Sequence, residues 1–335
     1  MLQVFFGGVW SQMMRFSRLG VVVLLLLTVL IGANCAYFNK VMARKDLVDG
    51  SRAYKDRKFP EAAELFKSAV ARDPNGENLE GKMAQLFLAR TLHSQFIGNR
   101  IDKEKAEHAI AEYQKSLALD PNDQSSYKAI ASLYENLQKN DLWLDWVTKR
   151  SANTSIPPQQ RAEALTSLAA KKNTCANDIT DTEQTKKTIT KDGKQAFQFV
   201  KPATPEEYQE LVKCVDEGTK LIDQTIALET PEVKNAAKID VKALTDVQLA
   251  SNFEVLKVFE SARSYKASLL FQAMRVAEMD GKSEDRDRLK VEADAARQAF
   301  LDLSDVVKKL QTEIDDRLAA KEQKEKANKA AEANK

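Results

Sequence analysis

The sequence is poor in the residues that break or staple a chain. Its 335 residues include 11 glycines, 8 prolines, 3 cysteines and 2 histidines. So few turn formers exclude a fold of many short strands joined by tight turns, and a collagen-like chain as well. Three cysteines exclude a disulfide-dense scaffold. The histidines, His93 and His108, lie in no ligand-spaced cluster with cysteine or with each other, so no metal is expected. No Gly-x-Ser-x-Gly elbow occurs. Asp280-Gly281-Lys282-Ser283 ends like a phosphate loop, but Val276 stands where its first glycine belongs and no strand precedes it. It reads as a turn between helices. No catalytic constellation and no cofactor are therefore expected. The chain also lacks an excess of one charge. Lys and Arg total 51 against 49 Asp and Glu, a net +2. That balance offers no field for a polyphosphate, and nucleic acid is not an expected partner.

What the sequence does have begins with one long apolar run, Leu19–Ala33, behind Arg15 and Arg18. As a helix it is roughly 22 Å long, short of a bilayer core of about 30 Å. The whole uncharged stretch, 19–39, would just span. A cleaved signal and an anchoring helix both fit. Residues 1–18 form a flank whose first part is apolar, and a start at Met13 or Met14 would give a more ordinary basic leader. Leu30-Ile-Gly-Ala-Asn-Cys35 resembles the lipobox of bacterial lipoproteins, with Asn34 as its departure. That resemblance implies a lipid on Cys35. A periplasm-facing, membrane-anchored chain is the expectation, and a cytoplasm-facing one the alternative.

From residue 43 the apolar period is helical. Gly50, Ala62, Phe66, Ala69 and Pro74 define a helix pair. Ala109, Tyr113, Ser116 and Pro121 repeat four of those offsets, with the longer link Gly98–Lys103 ahead of them. A third unit carries Tyr127, Ile130, Ala131 and Tyr134, then Trp143 and Trp146, and closes at Pro157-Pro158. This pattern over 43–172 resembles the tetratricopeptide repeat (TPR). The resemblance implies an all-α TPR-type helical-repeat solenoid, because one helix pair cannot bury its apolar face alone.

The segment 173–204 interrupts that period. Asp192-Gly193 between β-rich runs signals a hairpin. Thr204-Pro205 then restarts a helix, with Glu207 placed for a capping box, over a continuation spanning 205–244. Cys175 and Cys214 flank the hairpin. A disulfide between them and two separate thiols are both open. Residues 245–318 read as two long helices broken at Asp280-Gly281. The second has Leu289, Ala293, Ala296, Phe300, Leu303, Val307, Leu310 and Ile314 in alternating steps of three and four, a heptad seam. It suits an intramolecular helical hairpin or, alternatively, a coiled-coil homo-oligomer that organises the envelope. The Lys/Ala/Glu tail at 319–335 is expected to fray or stay disordered.

The TPR resemblance also implies a function: a scaffold binding protein or peptide partners on a surface lined by the first helix of each pair, with no chemistry of its own. Carried over position by position, the groove takes Arg44, Ser51 and Tyr54, then Arg90 and His93, then Lys128 and Glu135. Leu47, Ser51 and Ala129 depart from the family's clamp for a terminal carboxylate, so that mode of recognition is not expected.

Overall fold

A computed structural model describes residues 37–191 and 193–333. Cys35 and most of the 19–39 segment lie outside the described residues, as does Asp192 of the hairpin turn. Among the described residues no helix is long and apolar enough to cross a membrane. The chain forms two compact units that divide between Asn140 and Asp141, inside the 43–172 range that reads as one repeat array. The fold is an all-α helical repeat with a single hairpin among the described residues.

The first unit contains α1 (37–55), α2 (Phe59–Arg72), α3 (Leu79–Gly98), α4 (Lys103–Leu119) and α5 (Gln124–Asn136). The repeated offsets have a packing reason. Ala62, Phe66 and Ala69 on α2 are buried, and so are Ala109, Tyr113 and Ser116 on α4. Gly50 lets α1 lie directly on Phe66: a Cβ there would sit 2.8 Å from the ring. Phe66 in turn stacks on Phe87 of α3, ring centres 5.5 Å apart. Buried Asp46 ties α1 to α2 by accepting from Ser68 Oγ (2.7 Å) and Arg72 Nε (3.2 Å).

Pro60 occupies the first turn of α2, where a missing N–H loses no helical bond. Asp73 ends that helix and accepts from the backbone N–H groups of Glu77 and Asn78, each at 2.9 Å. Gly81 is needed beside it, since a Cβ would fall 2.3 Å from the Asp73 carboxylate. Gln85 of α3 donates to the Glu112 carbonyl on α4 (3.0 Å), which fixes that pair. Asp123 caps α5. Burial pushes its pKa up, but side-chain and backbone hydrogen bonds from Ser126 and Ser125 outweigh it and leave the carboxyl below its ordinary value.

The second unit contains α6 (Asn140–Ala152), α7 (Pro158–Thr180), β1 (Lys186–Lys191), β2 (Lys194–Phe199), α8 (Pro205–Ala227), α9 (Pro231–Lys234), α10 (Asp246–Met279) and α11 (Ser283–Ala333). The strands are antiparallel, with Lys186 opposite Phe199 and Ile189 opposite Ala196. Phe199 is buried, and the Arg275 guanidinium of α10 covers it at 4.4 Å. A Cys175–Cys214 disulfide joins α7 to α8, Cα to Cα 6.2 Å. Between α7 and α10 lies a polar ladder: Ser268 Oγ donates to Asn173 Oδ1 (2.8 Å), Gln272 Nε2 to Asn177 Oδ1, and Arg275 Nη1 to Thr180 Oγ1 (3.2 Å).

α10 starts at a complete capping box, Thr245 with Gln248. Its apolar face, Leu249, Leu256 and Phe259, meets Leu303, Val306, Val307 and Leu310 of α11. The heptad seam is thus filled within one chain, and a coiled-coil dimer through it would have to displace α10. Arg317 and Lys321 of α11 pair with Asp246 at the start of α10, at 2.9 and 2.7 Å. Beyond them α11 continues through the Lys/Ala/Glu tail to Ala333. Alanine, lysine and glutamate are strong helix formers, so that stretch is helical without apolar cover.

Candidate functional site

The first unit holds a cavity of about 650 Å³. Its wall follows from helix periodicity. On α3, Arg90, His93, Ser94 and Ile97 fall at steps of three and four and share one face. α1 contributes Tyr54 and Lys55 from its last turn, the α1–α2 turn contributes Arg57, and α2 begins with Phe59. Tyr113 of α4 closes the wall.

The floor is held together by hydrogen bonds and ring contacts. The Tyr54 and Ser94 hydroxyls are 3.0 Å apart, and the Tyr54 ring meets Phe59 edge-on at 5.4 Å. His93 Nδ1 lies 3.3 Å from the Tyr113 hydroxyl, their rings perpendicular. The Arg90 guanidinium lies over the Phe87 ring at 5.5 Å and donates to Ser125 Oγ at 3.1 Å. Lys55 and Arg57 are exposed and form no ion pair among the described residues. Three of the lining side chains are cationic and none is a carboxylate.

Burial, and then the charge of Arg100, lowers the pKa of His93 from its ordinary 6.5. Burial pushes the Tyr113 hydroxyl well above its ordinary 10. The histidine is therefore neutral at physiological pH. In the folded chain it takes a proton less readily than in the unfolded chain. Its contribution to stability is complete above pH 6.5 and is lost as pH falls toward the folded value. A His93→Gln variant keeps an amide facing Tyr113 and does not titrate. Urea melts between about pH 7 and pH 5 should show a shallower stability loss for this variant than for the wild type. Parallel losses would remove His93 from the acid response.

Of the residues expected in a groove, the structure places Tyr54, Arg90 and His93 around this one cavity. Ser51 instead donates to the Leu47 carbonyl within α1 (2.7 Å). Arg44 is exposed on α1, and Lys128 and Glu135 are exposed on α5, none of them in its wall. Lys55, Arg57, Phe59 and Ile97 were not readable from repeat position. For Lys55 and Arg57 the one signal is the basic run Lys55-Asp56-Arg57-Lys58 that follows Tyr54.

Two other clusters carry less. Cys175, Glu210 and Cys214 stand within ligand distance of one another, but the disulfide uses both sulfurs and leaves a metal only one carboxylate. A shallow cleft along α8 ends at Asp280. Lys201, Tyr208 and Lys282 all hydrogen-bond that carboxylate, and they hold its pKa well below the carboxylate range.

No protein-family model matches the chain, and no curated protein does. Among solved structures, one from a functional characterisation of Pseudomonas aeruginosa pilF aligns at 11% identity with a TM-score of 0.31, covering 80% of this chain and 97% of that one. A likeness of that size decides neither fold nor function.

Proposed function

We propose that the chain is a non-catalytic scaffold that holds a protein or peptide partner at the cavity of its first unit. The observation that carries this reading is the cavity itself. It is a concave wall of tyrosines, phenylalanine and isoleucine, with a few oriented polar groups. The N-terminal segment tethers the chain to a bacterial membrane, either as an anchoring helix over 19–39 or, once cleaved, through a lipid on Cys35, and the soluble part faces the periplasm. The Cys175–Cys214 bridge supports that side of the membrane, because disulfides persist in oxidising compartments.

Crosslinking from native membranes tests the scaffold reading. A partner crosslinked to the wild type should be lost in Tyr54→Ala and Arg90→Glu. Retention of every partner by both variants would overturn it. An alkaline phosphatase fusion after Lys335 tests orientation, and an inactive fusion would place the soluble part in the cytoplasm instead.

A further inference from the structure

Accepting that scaffold reading, we propose that the segment taken by the cavity is an acidic peptide. Its side-chain carboxylates meet Lys55, Arg57 and Arg90, and an apolar side chain packs beside Tyr54, Phe59 and Ile97.

The charge pattern supports this locally. Over the whole chain the signs nearly cancel, 51 against 49. Some lysines elsewhere lie beside carboxylates on their own helix, as in Lys67–Glu64 (2.9 Å), Lys115–Glu112 (2.8 Å) and Lys149–Asp145 (2.7 Å). Around the cavity the signs do not balance. Three cations line it with no carboxylate among them, and two of the three have no ion pair among the described residues. A positive field over an aromatic and aliphatic floor is complementary to a carboxylate-bearing peptide with one apolar anchor.

The backbone supplies a second observation. Arg57 sits at φ +59°, in the left-handed region, where an L side chain is disfavoured and glycine is not. The turn is fixed by Arg57 N–H donating to the Tyr54 carbonyl (3.0 Å) and Lys58 N–H donating to that of Ala53 (2.9 Å). The turn after α5 has the same conformation at Gln138, φ +58°, with a neutral side chain. The conformation therefore belongs to the turn, whereas a cation in it is particular to the first pair. Glycine would satisfy the turn better; arginine brings a guanidinium to the cavity wall.

The test uses the full chain and fluorescence anisotropy. One probe is a labelled Glu/Asp-rich peptide with one Leu and one Phe and an amidated end; the other is its Gln/Asn isostere. The acidic probe should bind about ten-fold more tightly than the isostere, and more weakly as salt rises. Arg57→Gly should weaken the acidic probe by about ten-fold while leaving Tm unchanged or raised, so that affinity and stability move independently. Equal affinity for the two probes, unaltered binding by Arg57→Gly, or equal binding of a single-stranded oligonucleotide would each overturn the proposal. If the acidic probe does not bind while crosslinked partners still depend on Tyr54, the acidic assignment falls and the scaffold stands. If no partner depends on Tyr54, the scaffold reading has itself failed.

Discussion

Phe66→Ala is expected to destabilise the first unit by about 4 kcal/mol. The Phe66 side chain has no exposed surface, lies under Gly50 and stacks on Phe87. Truncation removes a full aromatic burial and leaves a hole that the surroundings cannot fill. Gly50 has no side chain to lean in, and the Asp46 hydrogen bonds to Ser68 and Arg72 hold α1 and α2 at their spacing. Hydrogen–deuterium exchange should show protection falling together across α1, α2 and α3. A Phe66→Leu control should lose about half as much or less. The variant should also weaken ligand binding without touching the cavity, because Phe87 loses its stacking partner and Arg90 lies over Phe87. A loss below about 1 kcal/mol would mean the site collapses freely, contrary to this account.

Breaking the Cys175–Cys214 bridge should have a similar effect on the second unit. The bridge closes a loop of sequence separation 39, and the chain-entropy argument for that length gives about 4 kcal/mol. The Cys175→Ser, Cys214→Ser double variant, or the wild type in dithiothreitol, should melt about 10 °C lower in its second unit. Exchange in α1–α4 should not change. Cys214 packs with Leu211, Val215 and Met279, so the double serine variant also leaves hydroxyl groups near an apolar cluster. The reductant arm isolates the covalent term. A transition that reductant does not move would show that the bridge contributes nothing to stability.

The helices were legible in the sequence because apolar positions recur with their period, and the helix pairs because glycine and alanine recur where an aromatic must fit. Gly50 over Phe66 is the clearest case. The hairpin was legible from its turn dipeptide, and the start of α8 from Thr204, whose hydroxyl accepts from Glu207 N–H at 3.2 Å. What a period cannot express was missed. The heptad stripe on α11 requires cover but does not say from which chain, and α10 supplies it. The division at Asn140 falls within a helix pair that reads as continuous. At the cavity, Tyr54, Arg90 and His93 were accessible as positions on helices, whereas Lys55 and Arg57 come from the end of α1 and a left-handed turn that no repeat spacing marks. Lys128 and Glu135 show the converse: an equivalent repeat position did not bring them into the same wall.

The ladder between α7 and α10 has a consequence for how this chain could be altered. Three of its rungs join residues at one offset, 95, at Asn173–Ser268, Asn177–Gln272 and Thr180–Arg275, and Thr180 Oγ1 also donates to Gln272 Oε1 at 3.0 Å. A constant offset means that the two helices run in the same direction and in a single register. Apolar faces could slip past each other by a turn with modest loss, but a slipped amide or guanidinium would be left buried without its partner. Alignment is thus encoded in three polar pairs and is independent of the length of chain between them. Residues around Gly193, at the tip of the hairpin, could carry an inserted tag or reporter while α7 and α10 keep their register.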